Sequence, residues 1–280
     1  MVSLASLPID PINTSSTGLY YTYVSGGSFE LNGILESSKY RNNTALSKPN
    51  LPGVLSYGSN QSLSPLYNTS GLVGYWPFDE GSGTIAYDKS GNNNNGTLIN
   101  GPTWTGGKVA GGLNFNGSGN YIDIPNSSSL NFSSGFSAGA WIQGGNYSPW
   151  DPFLGKESWN AGLGFVLLVG DSAGGITYYG GTGAGSMAAI SFAGAAPPGV
   201  WTHVFFTNSS GSAKMYINSI LVASGSIPIT NAPNDLLVAA RHTNDGGAAS
   251  DWYGGKVDDV RVYNRALSAS EVQALYNATK

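Results

Sequence analysis

The chain has 280 residues, of which only 10% are charged, while glycine and proline contribute 41 and 14 residues. An ordinary globular domain has about a quarter of its residues charged, so this composition excludes a fold of exposed surface helices and favours strands. A hydrophobic share of 40% with a formal charge of -4 excludes a disordered chain, and 12 scattered Lys and Arg residues exclude a nucleic-acid surface.

Residues 1–40 contain two short runs of alternating apolar and polar residues, at 19–24 and 28–35. The intervening Ser25-Gly26-Gly27 is typical of a turn, so the two runs predict a β-hairpin. Residues 41–70 are interrupted by prolines, asparagines and glycines and show no periodicity. They predict a linker that packs only in part.

The remaining residues, 71–280, predict one larger domain. Short apolar and aromatic runs alternate there with turns rich in Gly, Asn and Ser, which is typical of an antiparallel sandwich or barrel. About ten strands are predicted, at 72–78, 113–115, 121–124, 136–142, 165–169, 176–179, 201–207, 214–217, 236–240 and 256–263.

One helix is predicted at the end of the chain. Ser268 offers an N-cap hydroxyl and Glu271 lies three positions further on, a pattern that indicates a capping box. The apolar residues that follow lie on one helical face: Val272, Leu275 and Tyr276. The glycine-rich stretch 180–185 precedes no helix, so it predicts a loop and not a phosphate-binding cradle.

Three segments of 71–280 resemble the laminin-G-like, concanavalin-A-type jelly rolls of secreted bacterial proteins. They are an opening strand with its turns, a central strand pair and a closing strand: GLVGYWPFDEGSG at 71–83, GVWTHV at 199–204 with MYIN at 215–218, and YGGKVDDVRVYNRALS at 253–268. Asn116 and Asn218 stand where the family usually has Asp. The resemblance implies an all-β antiparallel β-sandwich whose first and last strands are neighbours.

Residues 1–40 resemble a different family, the globular tails of type IV pilins and pseudopilins. The resemblance is carried by LPIDPIN at 7–13, YYTY at 20–23 and FELNGILES at 29–37. Pilins of this kind begin with a long apolar helix, and no run of about 18 apolar residues occurs in this sequence. The resemblance implies a longer natural protein, in which an export or anchor segment precedes a hairpin stem, with pilin subunits as partners and no membrane insertion by this chain.

The jelly-roll resemblance also implies a structural Ca²⁺ that joins an early Asp/Asn turn to a late Asp. Calcium takes six to eight oxygen ligands from carboxylates, amides and carbonyls. The residues that offer them are Asp79, Asp88, Asn93, Asn95 and Gly96 near the start of the domain and Asp258 and Asp259 near its end. The alternative is that Asp88 opens an Asx-turn and that the late pair alternates between solvent and a backbone group.

Aromatic and polar side chains accumulate in two stretches outside the predicted strands, at 141–159 and 241–252. Sugar faces stack on aromatic rings, while amides and hydroxyls bind the sugar hydroxyls. We therefore expect a secreted or cell-surface recognition or adhesion module that binds glycan or another extended extracellular polymer. The predicted ligand-binding residues are Asn146, Tyr147, Trp150, Trp159, His242, Asn244, Asp251 and Trp252.

A hydrolase that acts on glycan or ester polymers is the alternative function. The string Gly170-Asp-Ser172-Ala-Gly174 follows an apolar strand and resembles the nucleophile elbow of lipases and esterases related to hormone-sensitive lipase. That chemistry requires a helix after the serine, followed by Asp and His. The residues from 176 on predict instead the second arm of a hairpin.

The hydrolase candidates are therefore few. Ser172 with His242 and either Asp245 or Asp251 is the serine-type set, since the jelly-roll resemblance makes His203 structural. Glu157 is the candidate for a carboxylate pair of the kind that cleaves glycosides. The absence of cysteine excludes a thiolate metal site and a cysteine nucleophile.

Overall fold

The structure is a computed structural model. It describes residues 69–145, 147–148, 150–170, 173–242 and 249–280 in full, and the backbone of the strands that lie between residues 21 and 58. The chain divides into two compact units, 1–69 with 274–280, and 70–273.

The first unit contains the strands β1 (Tyr21–Ser25), β2 (Phe29–Ile34), β3 (Ser47–Lys48) and β4 (Leu51–Gly58), in the antiparallel order β1-β2-β4-β3. The pair of β1 and β2 is the predicted hairpin. The strands β3 and β4, in contrast, lie where the sequence predicted a linker. Pro52 is compatible with a strand there because β2 pairs with β4 only from Val54 onward, so no bond of that ladder needs its missing N–H.

The second unit contains the remaining strands. In chain order they are β5 (Leu72–Trp76), β6 (Ile85–Ala86), β7 (Gly96–Ile99), β8 (Thr103–Val109), β9 (Gly111–Asn116), β10 (Tyr121–Ile124), β11 (Gly135–Gly144), β12 (Asp151–Ser158), β13 (Leu163–Val169), β14 (Ile176–Gly181), β15 (Met187–Phe192), β16 (Thr202–Ser209), β17 (Ser212–Ile217), β18 (Ile220–Ser226), β19 (Leu236–Val238), β20 (Ala240–His242), β21 (Ala249–Trp252) and β22 (Gly254–Tyr263). The α-helix α1 (Ala269–Thr279) follows.

In the described residues these strands form two large antiparallel sheets and one small hairpin. Sheet one has the order β15-β14-β13-β12-β19-β10-β7-β6, and sheet two has the order β18-β17-β16-β11-β22-β9-β8, with β5 also on β22. The pairing of β5 with β22 confirms that the first and last strands of the domain are neighbours. The two sheets and the closing helix confirm the predicted all-β antiparallel sandwich.

The core between the sheets follows from the alternation of side chains along each strand. In β14, Ile176 and Tyr178 belong to the core, while Thr177 and Tyr179 alternate with them and occupy the other face. The Tyr178 ring stacks on Phe206 of the opposite sheet at 4.1 Å. Phe136 of sheet two packs against Phe165 of sheet one with ring centroids 5.0 Å apart, so aromatic contacts join the two layers.

Each predicted strand of 71–280 overlaps an observed strand, but β6, β7, β8, β15, β18 and β21 were missed, and so was the longer buried strand β12. Its sequence, DPFLGKES, contains a proline, a glycine and three charged residues, which hides the apolar pattern of a buried strand. Lys156 is nevertheless buried on the core side, where its ammonium group donates to the carbonyl oxygen of Ala232 and to Asn131 Oδ1. The fold therefore provides hydrogen-bond acceptors for the buried ammonium group of Lys156, although the sequence pattern alone would place this residue in a loop.

The closing helix begins as predicted. Glu271 N donates to Ser268 Oγ at 3.3 Å, and Ser268 N donates to Glu271 Oε2 at 2.8 Å, which is a reciprocal capping box. The guanidinium of Arg265 forms a bidentate ion pair with the carboxylate of Glu271 and lowers the pKa of Glu271 to about 2. Among the described helices, none has the length and apolar character needed to span a bilayer.

Candidate functional site

Three aromatic rings meet on the outer face of sheet one, and we call Trp150, Trp159 and Tyr179 the aromatic platform. The Trp150 ring stacks on Tyr179 with centroids 5.5 Å apart, and Trp159 is edge-on to both rings at 5.8 and 5.3 Å. The two tryptophans flank β12, one at each end, and their ring contact shows that the two side chains nevertheless meet. Trp150 is 40% exposed, which leaves part of one indole open to a ligand.

The backbone at Trp150 is unusual. Its φ angle is 72°, in the left-handed region that bulky side chains rarely adopt. Such a conformation costs about 1–3 kcal/mol and persists only where the surroundings hold it. Here the ring contacts with Trp159 and Tyr179 hold the side chain.

A charged pair borders the platform. The guanidinium of Arg241 lies 5.5 Å from the Trp150 ring centre and 5.1 Å from that of Trp159. Its Nε donates to Asp251 Oδ2 at 2.6 Å across the β20–β21 hairpin. The side chain of Asp251 is 42% exposed. The platform therefore has a cation, held by two indoles, and an accessible carboxylate beside an open aromatic face.

Glu157 is buried on the same side of the sheet. Gly155 lies opposite Val166, and Val166 lies opposite Tyr179, so Glu157, two residues after Gly155, shares a face with the platform. Glu157 is 0% exposed, and its Oε1 accepts the N–H of His242 at 2.9 Å. A Cβ added at Gly155 would stand 2.7 Å from Glu157 Oε2, so the glycine makes room for the acid.

The other predicted ligand-binding residues are not members of the aromatic platform. Tyr147 is instead a core residue, 5% exposed, with its hydroxyl accepting the N–H of Gly144. His242 is also buried, and its Nε2 lies 3.1 Å from the carbonyl oxygen of Asp235. Trp252 is half-buried on β21, next to Asp251. Asn146 and Asn244 lie outside the described residues.

Two members of the site were missed by the sequence analysis. Tyr179 had been assigned to a strand, and its outward position was readable from its alternation with the apolar Ile176 and Tyr178. Arg241 follows the buried run of β19, and nothing in the sequence indicated that its side chain would meet two tryptophans about 80 or 90 positions earlier in the chain. The neighbouring His242 donates its N–H to Glu157 on β12, and this long-range bond brings Arg241 close to the strand between the two tryptophans.

The early predicted calcium ligands are engaged with protein donors. Asp88 Oδ1 accepts N–H groups from Tyr75 at 3.0 Å and Ser90 at 2.8 Å. Asp88 Oδ2 accepts from Ser90 Oγ at 2.8 Å and from Asn94 N at 2.9 Å. Asn95 Oδ1 in turn accepts the N–H of Asp88. The bond from Ser90 N is the Asx-turn that the sequence offered as the alternative.

The late predicted ligands, Asp258 and Asp259, form a separate group together with the early residue Asp79. Asp258 Oδ2 accepts the N–H groups of Lys108 and Val109, each at 2.8 Å, and Asp79 Oδ1 accepts that of Gly111. Asp259 pairs with the guanidinium of Arg261, whose NH2 nitrogen lies 2.8 Å from Oδ1. Burial, followed by the charge of Asp259, raises the pKa of Asp258.

These donor sets do not fit one shared calcium ion. Ca²⁺ needs carboxylate oxygens that converge on it, whereas both oxygens of Asp88 already accept two hydrogen bonds each. In the fully described ranges, no three acidic or histidine side chains are grouped closely enough to hold a metal. Calcium binding by this domain stays a prediction.

The serine-type candidates can be placed only in part, because Ser172 and Asp245 lie outside the described residues. The strand β13 before Ser172 and the strand β14 after it form an antiparallel hairpin, with Gly170 N donating to the carbonyl oxygen of Gly175. A nucleophile elbow needs a helix in that position. His203 is buried, which lowers its pKa to about 4, and its ring stacks on Phe205.

Comparison with known protein families gives one match over more than half of the chain. Residues 116–273 match the concanavalin A-like lectin/glucanases superfamily. The matched range includes the whole aromatic platform together with Arg241 and Asp251. No protein with curated function matches the sequence.

Solved structures with a similar fold include two toxin domains and one domain of a glycosidase. The binding domain of Paraclostridial Mosquitocidal Protein 1 is 20% identical, with a TM-score of 0.61 over 76% of this chain and 53% of that one. The receptor binding domain of botulinum neurotoxin C/D mosaic serotype is 14% identical, with a TM-score of 0.59 over 75% and 51%. This chain therefore spans about half the length of these two solved binding domains.

The third similar structure is a domain of comparable size. Domain 4 of AbnA, an extracellular arabinanase of glycoside hydrolase family 43 from Geobacillus stearothermophilus, was solved in complex with arabinotriose. It is 21% identical, with a TM-score of 0.58 over 74% of this chain and 98% of that domain. At these identities the likeness establishes the fold of the chain's matched part and not its ligand.

Proposed function

The chain belongs to the concanavalin A-like lectin/glucanases superfamily, and from that premise we propose that it is a carbohydrate-binding module. The observation that carries the proposal is the aromatic platform with its bordering pair of Arg241 and Asp251. Similar folds that bind a receptor or an arabinotriose support it. Fold alone would not suffice, because this architecture serves proteins of many functions.

The platform offers both kinds of contact that a sugar ring needs. The exposed part of Trp150 presents an apolar face on which the C–H groups of a sugar can stack. Arg241 donates and Asp251 accepts hydrogen bonds, so neighbouring hydroxyl groups of one sugar can bind to the pair. Since the two charges neutralise each other at 2.6 Å, an uncharged glycan is the proposed ligand.

We further propose that the module acts outside the cell, where extended glycans are found. The extracellular arabinanase domain among the similar structures supports this placement. The pilin-like resemblance of residues 1–40 adds the proposal that the module is displayed on a type IV pilus-like structure. The matched family range begins at residue 116 and does not bear on that part.

Glycan or ester hydrolysis remains the alternative, and no described residue favours it. Glu157 is the candidate for glycoside cleavage, yet it is fully buried and one oxygen is bonded to His242 N. A carboxylate that protonates or attacks a glycoside must contact the substrate. Binding without turnover is therefore the proposed activity.

Calorimetric titration with a panel of glycans tests this function. The panel consists of arabinotriose, xylotriose, cellotriose and a uronic acid trimer. We expect saturable binding of at least one neutral trimer with a Kd of about 1 mM to 1 μM, a range of about -4 to -8 kcal/mol, and no cleavage on prolonged incubation. Absence of binding to every neutral glycan would contradict the proposal, and release of shorter sugars would favour the hydrolase.

A further inference from the structure

The carboxyl group of Glu157 is buried beside the aromatic platform without a complete set of hydrogen bonds. Oε1 of Glu157 accepts the N–H of His242 at 2.9 Å. Oε2 has no hydrogen-bond partner among the residues that the structure describes, and the acid is completely buried. An ionised carboxylate in such a place lacks the donors that water would supply, so the neutral acid is favoured.

The charged surroundings of Glu157 are simple. The charge of Arg241 on β20 lowers the pKa of Glu157, and the charge of Asp251 on β21 raises it. On one side β13 places the uncharged Gly164 opposite Glu157. On the other side Leu237 of β19 lies opposite Gly155, and the charged Asp235 lies two positions before Leu237, towards the level of Glu157. The imidazole of His242, whose backbone N–H bonds Glu157, interacts with Asp123 on β10, and its Nε2 lies 3.1 Å from the carbonyl oxygen of Asp235.

Burial, the largest effect, raises the pKa of Glu157 to about 8, while the N–H of His242 and the charge of Arg241 act in the opposite direction. The acid is therefore neutral at pH 7 and ionises as the pH rises through about 8. Because Arg241 already binds Asp251 and both indoles, an ionised Glu157 becomes a second anion that competes for the same guanidinium.

We propose that Glu157 is a positioning residue for the platform, since in its neutral form it leaves Arg241 to Asp251 and the two indoles. In its ionised form it draws the guanidinium away from the rings and disturbs the face that binds sugar. This inference rests on the proposed function for its consequence, which is glycan binding that weakens above about pH 8. The effect of Glu157 on the aromatic platform itself can be measured without a ligand.

The first test uses the full chain without ligand. The indole N–H signals of Trp150 and Trp159 are followed by nitrogen-15 NMR from about pH 6 to 10, a range that brackets the raised pKa. We expect both to shift with a midpoint near 8 in the wild type. In Glu157→Gln no such transition is expected, because the amide oxygen still accepts from His242 N and cannot ionise.

Two other tryptophans are internal controls in the same spectra. Trp76 donates its indole N–H to the carbonyl oxygen of Asn94, and Trp104 donates to that of Gly83. Neither signal should follow the transition of the platform. A transition of equal size in Glu157→Gln, or no transition in the wild type, would overturn the proposal. The wild-type titration decides by itself if the variant does not fold.

The second test is the pH dependence of glycan affinity, with arabinotriose as the probe. If only the neutral form binds, the wild-type Kd should rise about tenfold from pH 7 to pH 9, while that of Glu157→Gln stays constant. Parallel profiles of the two proteins would refute the positioning role and leave the binding function intact. If arabinotriose does not bind at all, the proposed function is weakened and the indole titration still decides the role of Glu157.

Discussion

Replacing Trp150 with alanine is expected to raise the Kd for the bound glycan about 30-fold, which corresponds to about 2 kcal/mol. The indole supplies the exposed aromatic face of the platform, and alanine removes that face together with the ring contacts to Tyr179 and Trp159. The measurement is calorimetric titration of wild type and variant with the same neutral glycan. An unchanged Kd would contradict the role of the platform.

Tyr87 provides a matched control for this substitution. It is another exposed aromatic residue, 46% exposed compared with 40% for Trp150, and it has a cation, Lys89, 5.3 Å from its ring centre. The variant Tyr87→Ala should bind the glycan like the wild type. Trp150→Phe, which keeps an aromatic ring, should lose less affinity than Trp150→Ala. Equal losses in the Tyr87 and Trp150 variants would point to a nonspecific effect.

Replacing Asp88 with alanine is expected to cost about 2–4 kcal/mol of unfolding free energy. The carboxylate accepts three backbone N–H groups and one hydroxyl, and their loss leaves partly buried donors without partners. Because Asn94 also donates to the carbonyl oxygen of Val73, the damage reaches β5. Denaturant unfolding followed by circular dichroism measures the change, and Asp88→Asn, which keeps one acceptor oxygen, should lose less.

The same unfolding experiment decides the question of calcium. If Asp88 only accepts hydrogen bonds and binds no ion, Asp88→Ala should lose the same free energy of unfolding in excess chelator and in saturating calcium. A bound ion would instead stabilise the wild type by about 2.7 kcal/mol at a hundredfold excess over Kd and leave the variant unaffected. Calcium-dependent stability of the wild type would therefore restore the metal site that the jelly-roll resemblance implied.

The fold was predictable because its signals are local. Alternation of apolar residues and turn residues located the central strands, and the cap formed by Ser268 and Glu271 located the helix. Strand β12 was not predictable in this way, because Lys156 and Glu157 obtain their partners from distant parts of the chain, Ala232 and His242. A local pattern contains no information about such partners.

The candidate site was predictable only in part, for the same reason. Trp150 and Trp159 were recognisable as large aromatics outside the predicted strands. Their assembly with Tyr179 depends on the strand order β12-β13-β14. The addition of Arg241 depends on the long-range bond from His242 N to Glu157 on β12. Strand order is set by long-range pairing, which a single sequence does not specify. The turn at Asp88, one of the predicted calcium ligands, is the opposite case. It depends on a local hydrogen bond from Ser90 N, so the sequence could offer it as an Asx-turn.

The most direct test of the account is to observe the tryptophans while a glycan binds. The chain has 7 tryptophans, whose indole N–H signals are counted separately in a nitrogen-15 NMR spectrum. Titration with a neutral trisaccharide is expected to shift the signals of Trp150 and Trp159 and to leave those of Trp76 and Trp104 in place. Binding that shifts Trp104 and leaves Trp150 unmoved would contradict a carbohydrate site on the aromatic platform.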